Sequence, residues 1–416
     1  MSIPDLPRTL WVGLSLLAAF LLGATVPFAF APFGYYPLAV VALALLFLPL
    51  RGRTPGTAFR MGYAFGLGMF GIGVNWIYIS IHYFGHSPLP AAIGVMLLLV
   101  AYLSLFPAVL AWAVARRAAG DGVQLLLLLP AGWVLAEWVR GWLFTGFPWL
   151  NLGYTQIDAP LAGYAPLFGI YGLGWLVALS AGLLAWALVG HGRARWVGPL
   201  LFVALWWGGE RLTAVDWTTA AGPPLRVSLV QGNIPQDQKW EEDQQLATLE
   251  RYLMLTRAEW YGPDGGRDLV VWPETAIPAF LHQVENDFLI RLREEARRAH
   301  SEVLTGIPVL DREAWKYYNA VISVGDEEDA YYKHHLVPFG EYLPLRALFG
   351  SLLQVMPLPV ADFSAGSLDQ PPIRVAGWPV GVSICYEIVF AEEIATKLPE
   401  AAFLVNVSND AWFGDS

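Results

Sequence analysis

The sequence has a single cysteine, Cys385, and no lysine before Lys239. A lone thiol excludes an internal disulfide and a metal centre built from thiolates, and neither a metal nor a cofactor is expected. Charge is scarce too. Charged residues make up 14% of the 416, against about 25% in an ordinary soluble protein, while 56% are hydrophobic and the mean hydropathy is +0.47. Such a chain is a membrane protein or carries a membrane domain. Residues 1–213 hold ten Arg and no Lys against five Asp or Glu, a balance of +5; of 25 basic and 35 acidic residues in all, 15 and 30 therefore lie beyond, a balance of −15. Two solvents are implied: a membrane domain over 1–213 and an acidic water-soluble domain after it. The acidic part lacks the basic face that phosphate contacts need, which argues against a nucleic-acid partner.

What the first part has is long apolar runs. Leu10 to Leu22, followed by Ala29-Phe-Ala31, imitates a signal peptide, but Pro32 would hinder cleavage and apolar segments follow at once, so an uncleaved first helix is expected. Further segments cover 36–50, 58–80, 89–115, 123–145, 166–190 and 196–212, most long enough for a hydrocarbon core of ~30 Å. Arg51 and Arg53, Arg116 and Arg117, and Arg193 and Arg195 fall in alternate loops. The positive-inside rule then puts the N-terminus in the cytoplasm and, after seven crossings, residue 214 on the outer face. Gly66-Leu-Gly-Met-Phe-Gly71 has the dinucleotide-binding spacing but no preceding strand, so Gly62, Gly66 and Gly73 read as close-packing positions between helices. Glu137 and Arg140 read either as a headgroup contact or as a mutually satisfied buried pair. The aromatic run Trp142 to Tyr154 reads as an interfacial loop, with Trp142, Phe147 and Trp149 at headgroup depth.

A linker over 214–224 leads to a change of periodicity. Strands are expected near 225–230, 268–272, 302–307, 317–324, 329–336, 373–384 and 402–407, with helices over 243–261 and 288–300, an α/β layered sandwich. Cys385 ends a β-branched run, Gly381-Val-Ser-Ile384, and Glu387 follows it. Glu274, Lys333 and Glu341 also fall at or just after strand ends, where sites in α/β sheets gather. Each alone has an ordinary reading as a cap, a solvated strand residue or a turn. Together they are chemically coherent. A thiol needs a base or cation beside it to attack near neutral pH; Glu274 can take the proton, and Lys333 with a backbone N–H can stabilise an oxyanion. A Cys-His pair using His334 or His335 is the rival assignment, with His335 on the same strand face as Lys333.

The order Glu274, Lys333, Cys385 resembles the Glu-Lys-Cys triad of the nitrilase, or carbon-nitrogen hydrolase, superfamily. The surrounding words are narrower: Gln231-Gly-Asn-Ile-Pro-Gln236, Lys239-Trp240, Trp272-Pro-Glu-Thr-Ala-Ile-Pro278, Tyr332 to Pro344, Cys385-Tyr-Glu387 and Asn406-Val-Ser-Asn-Asp-Ala-Trp-Phe-Gly414. With Arg140-Gly-Trp-Leu-Phe-Thr-Gly-Phe-Pro-Trp149 in front of them, they resemble the bacterial apolipoprotein N-acyltransferase family. That resemblance implies a polytopic helical membrane bundle carrying an αββα sandwich on the periplasmic face of the inner membrane. It implies a monomer that takes an acyl chain from a phospholipid, phosphatidylethanolamine first, and places it on the α-amino group of a diacylated apolipoprotein cysteine. Glu274 would be general base, Lys333 the oxyanion-side lysine and Cys385 the nucleophile that forms a thioester, with Glu341, Tyr386, Glu387 and Trp240 in support. The family pattern continues beyond the last motif, so residues 225–416 are expected to lack the end of the sandwich and a final membrane helix.

Two features bear on the lipid. Arg140 and Trp149 are candidate lipid contacts, as are Leu345, Phe349, Leu352 and Met356 in an apolar stretch that reads as a lid or membrane-dipping arm, or else as a buried helix. The alternative function is a membrane-tethered amide hydrolase with water as acceptor. A non-enzymatic receptor is disfavoured because every reactive residue type remains in order.

Overall fold

The computed structural model describes residues 8–220, 222–236, 238–263, 265–338, 340–342 and 362–414. Leu345, Phe349, Leu352 and Met356 lie outside the described residues. The chain divides into two compact units, Met1–Tyr78 with Leu89–Thr219, and Ile79–Pro88 with Ala220–Ser416. The division is not the contiguous one expected at residue 213. Ile79–Pro88 folds with the second unit, where Ser80 Oγ donates to the Trp412 carbonyl at 2.7 Å and the Phe84 ring meets the Trp412 ring edge-on.

The first unit is helical: α1 Arg8–Thr25, α2 Pro37–Leu50, α3 Pro55–Gly73, α4 Leu89–Leu103, α5 Leu105–Ala115, α6 Leu129–Arg140, α7 Ala165–Val189 and α8 Ala194–Thr213. Proline begins α2 and α3, where its missing N–H is harmless. Side chains such as Leu43, Phe47, Phe65, Met69 and Leu103 are buried, while Leu97, Leu98, Leu188 and Leu200 are exposed and apolar, as helices solvated by lipid require. Gly62 and Gly66 let α3 lie directly on α5. A Cβ on Gly62 would stand 2.4 Å from the Pro107 carbonyl oxygen, and one on Gly66 2.7 Å from Ser104 Cα.

Seven spans were expected. Among the described residues four helical stretches are long and apolar enough to cross, Trp11–Ala29, Leu89–Ala115, Asp121–Arg140 and Pro160–Val189. A fifth forms if Pro55–Gly73 and Ile77–Phe84, bent by 55°, count as one. The other two expected spans fall short for separate reasons. Helix α2 has 14 residues, about 21 Å at 1.5 Å per residue, and α8 carries Arg195, Glu210 and Arg211 near its ends.

Arg140 is 2% exposed. Its guanidinium donates to the carbonyls of Phe147 (2.7 Å) and Trp149 and to Asn151 Oδ1 (2.7 Å), and lies over the Phe70 ring. Glu137, 4% exposed, accepts from Trp133 Nε1 (2.9 Å) and the Leu152 amide (2.8 Å). These bonds staple residues 147–152 to the end of α6, with Arg140 and Glu137 as its buried clamp. Trp149, half-buried, packs its ring near Trp76 and Phe147.

The second unit contains two sheets. Five strands, β1 Val227–Leu229, β2 Leu269–Val271, β3 Glu302–Asp311, β4 Lys316–Val324 and β5 Ala330–Tyr332, lie in that order, parallel from β1 to β3 and antiparallel from β3 to β5. Three more, β6 Ile373–Val375, β7 Trp378–Ile384 and β8 Phe403–Val407, form the other, β6 antiparallel and β8 parallel to β7. Strand alternation sorts the core. Val270, Val303 and Ile322 face helices α9 Glu242–Tyr261 and α10 Phe288–Arg298 through Leu249, Tyr252, Leu289 and Leu292. Leu269, Val271, Leu304 and Val321 face the second sheet through Val375, Val380, Val382 and Ile384. A residue period of two with both faces buried gives helix, sheet and sheet layers. The chain after α11 Ala391–Ala395 covers the far side of β7, where a Cβ on Gly381 would stand 3.2 Å from Lys397 Cβ, and the αββα order follows. Two expectations change in detail. The single strand over 373–384 is a hairpin turned at Ala376 (φ 51°) and Gly377 (φ 80°), and β5 ends at Tyr332 rather than 336.

Candidate active site

Glu274 lies three residues past β2, Lys333 directly after β5, and Cys385 directly after β7. Each is delivered by a short strand into a turn. The Glu274 turn rests on β3: Gly306 N–H donates to the Pro273 carbonyl, and a Cβ there would stand 2.3 Å from the Thr275 nitrogen, so only glycine admits this approach. At Cys385 the backbone passes from extended Ile384 to φ +52° and into a tight turn over Cys385–Val389. A left-handed non-glycine residue is costly. The same strand-to-turn strain presents nucleophiles in other folds.

The carboxylates and lysine converge below the surface. Lys333 is 1% exposed and Glu274 7%. Lys333 Nζ stands 2.9 Å from both Glu341 oxygens and 3.7 Å from Glu274 Oε1. Glu274 Oε1 accepts from Asn319 Nδ2 at 2.7 Å and Oε2 from the Asn409 amide at 3.0 Å. Glu341 Oε2 accepts from the Val337 amide at 2.8 Å. Burial works against the Lys333 ammonium, but Glu274 and Glu341 outweigh it and hold its pKa above the ordinary lysine range. Burial and then Glu274 push the Cys385 thiol up to about 12, against the opposing pull of Lys333 and a hydrogen bond with Ser408. A thiol held there is neutral in the neutral pH range.

Glu387 explains how the lysine and thiol turns are kept together. Buried at 2% exposure, it accepts from the Tyr331 hydroxyl (3.0 Å), from the His334 (2.7 Å) and His335 (3.0 Å) amides, and from the Ile384 amide (2.7 Å). One carboxylate thus ties the residues on either side of Lys333 to the residue before Cys385. It also ends β5, because the amides of His334 and His335 turn to Glu387 rather than to a neighbouring strand, and the expected shared face of Lys333 and His335 does not form. His334 Nδ1 pairs with the Gly366 carbonyl; His335 Nδ1 pairs with Glu393 and its ring stacks on Phe390. That engagement disfavours the Cys-His assignment. Tyr386 meets both of these stacked rings, His335 and Phe390, edge-on.

Trp240 is 49% exposed. The side chain that reaches the site from its segment is the neighbouring Lys239, buried, with Nζ 3.3 Å from the Glu274 carbonyl and its pKa lowered to about 8 by burial. Lys239, Asn319, Tyr331 and Asn409 carry no assigned role in the sequence reading. Lys239 and Asn409 lie inside motif words without standing out. Asn319 had one signal, a polar residue entering an apolar strand.

The second unit matches the family model for carbon-nitrogen hydrolase over residues 226–416. The chain is also similar to the crystal structure of a carbon-nitrogen hydrolase from Helicobacter pylori, at 17% identity and a TM-score of 0.29 over 44% of this chain and 59% of that one. The helical unit matches the apolipoprotein N-acyltransferase N-terminal domain over residues 22–183. Two curated proteins named apolipoprotein N-acyltransferase, from Methylococcus capsulatus and Nitrosomonas europaea, are each 46% identical over 405 residues, covering 97% and 96% of this chain and 79% and 80% of theirs. The chain belongs to the apolipoprotein N-acyltransferase family.

Proposed function

We propose that this chain is a membrane acyltransferase that moves an acyl chain from a phospholipid to the α-amino group of an apolipoprotein's N-terminal S-diacylglyceryl-cysteine, through a thioester on Cys385. The observation that carries the reading is the strained turn that holds a neutral thiol beside buried Glu274 and Lys333, in a chain of this family. Glu274 takes the Sγ proton as the sulfur attacks the ester carbonyl carbon. Lys333 and a backbone N–H stabilise the oxyanion. The carbon–oxygen bond to the glycerol breaks, Glu274 returns the proton to the departing lysophospholipid, and the thioester remains. The acceptor amine then attacks that carbonyl, gives its proton to Glu274, and the thiolate leaves and is reprotonated.

Phosphatidylethanolamine as donor, a monomeric enzyme and residence in the bacterial inner membrane belong to the same proposal. So does an outer-face catalytic unit, supported by the arginine pairs in alternate loops. A helical domain over 1–213, a linker and a nitrilase-like domain over 225–416 are its organisation, with 79–88 joining the latter.

The test is to supply labelled phospholipid with and without a diacylated cysteine peptide. Label should pass to the peptide amine, and release of free fatty acid should be slow without peptide. Equal fatty-acid release in both arms would make the protein a hydrolase and overturn the transfer.

A further inference from the structure

Asn319 sits on β4, 4% exposed, and its side-chain nitrogen serves two acids at once. Nδ2 is 2.7 Å from Glu274 Oε1 and 3.2 Å from Glu341 Oε1, and its backbone carbonyl accepts from the Lys333 amide at 2.8 Å. The same Glu341 oxygen receives Lys333 Nζ at 2.9 Å, whereas Lys333 stands 3.7 Å from Glu274 Oε1, beyond ordinary hydrogen-bond range. Asn319 is therefore the donor at that oxygen of Glu274. Its own Oδ1 is buried with no hydrogen-bond partner among the described residues. The orphan identifies the amide's orientation: turned over, Oδ1 would face two carboxylate oxygens at these same distances, so leaving it unpaired is the lesser penalty.

We infer that Asn319 is a positioning residue for the reaction, its amide fixing the carboxylates of Glu274 and Glu341 around Lys333 so that Glu274 is placed to accept the thiol proton. Two carboxylates sharing one cation tend to trap a proton between them; donors to the charged forms oppose this. The groups facing the pair are Lys333 after β5, Lys239 at the Glu274 carbonyl, the Asn409 amide at Glu274 Oε2, the Val337 amide at Glu341 Oε2, and Cys385, whose thiol feels both acids. Among the described side chains, Asn319 is the neutral one bonded to both acids. The inference rests on the proposed roles of Glu274 and Cys385.

The experiment is the pH–rate profile for forming the labelled acyl adduct, in wild type, Asn319→Asp and Asn319→Ser, with folding checked by thermal melting. Asn319→Asp places a third carboxyl against the pair and should move the acid limb up by about one pH unit or more. Asn319→Ser, which removes the amide without adding charge, should move it the same way by less, with KM for the phospholipid unchanged. A merely structural asparagine would lower the amplitude and leave the limb in place, and an unmoved limb in either folded variant overturns the inference. Failure of the underlying reading is separate: it would show as an adduct that persists in Cys385→Ser.

Discussion

Glu274→Gln should slow acylation of Cys385 by roughly 10²–10⁴-fold, the usual contribution of a positioned base. The reason is the state of the thiol. Held at about 12 by burial and by Glu274, it is protonated across the neutral range, and the proposed acceptor of its proton is Glu274. Glutamine keeps the size but not the acceptor. It would also turn an NH2 toward one of two donors, Asn319 Nδ2 or the Asn409 amide, that now meet one carboxylate oxygen each. The sign of the pH dependence follows. Without a base the residual rate depends on the thiolate fraction, which rises about tenfold per pH unit below the thiol pKa; removing the neighbouring anion lowers that pKa but leaves the slope. Initial rates of adduct formation from pH 6 to 9 should thus climb steadily in Glu274→Gln. A flat residual rate, or a wild-type rate, would remove Glu274 from the role of base.

Lys333→Met should be severe in both stability and rate. The ammonium is 1% exposed and lies between Glu341 and Glu274; deleting it leaves a buried and a part-buried carboxylate facing each other, a loss of up to about 3–5 kcal/mol, the range for breaking a buried pair. The variant can recover part of this by taking up a proton. Its folded state then binds more protons than the unfolded chain, so its stability should fall as pH rises. Loss of an oxyanion partner should lower acylation by a further 10²–10³-fold or so. Arginine should not rescue, since its planar fork needs a different cavity. Thermal melting in detergent between pH 5 and 8 gives the stability; melting like wild type at every pH would mean the lysine is not the cation of this cluster.

The strands were legible because both faces of the central sheet are apolar, which turns Leu269, Val270 and Val271 into one buried run although they serve two cores. The hairpin at Ala376 and Gly377 was not, because alanine seldom adopts positive φ. Cys385, Glu274 and Lys333 stood out by residue type and position at strand ends. Glu387 drew notice beside the thiol, yet the bonds that give it a role come from Tyr331, His334 and His335, more than fifty residues away. Nothing local in the sequence encodes that distance. The bonds of Arg140 were hidden for a related reason: its partners include the carbonyls of residues 147 and 149, and backbone atoms leave no mark on residue type. In the helical unit, counting apolar segments gave seven crossings, whereas the length of α2, the end charges of α8 and the bend after α3 are properties of single elements.

The central claim is a covalent acyl-enzyme on the only thiol. Incubating the protein with phospholipid alone and measuring its mass should show one added acyl group, located by peptide mapping on the Cys385 peptide, released by neutral hydroxylamine as a thioester is, and lost in Cys385→Ser. An unmodified protein that still acylates the acceptor peptide, or an adduct on any other residue, would contradict it.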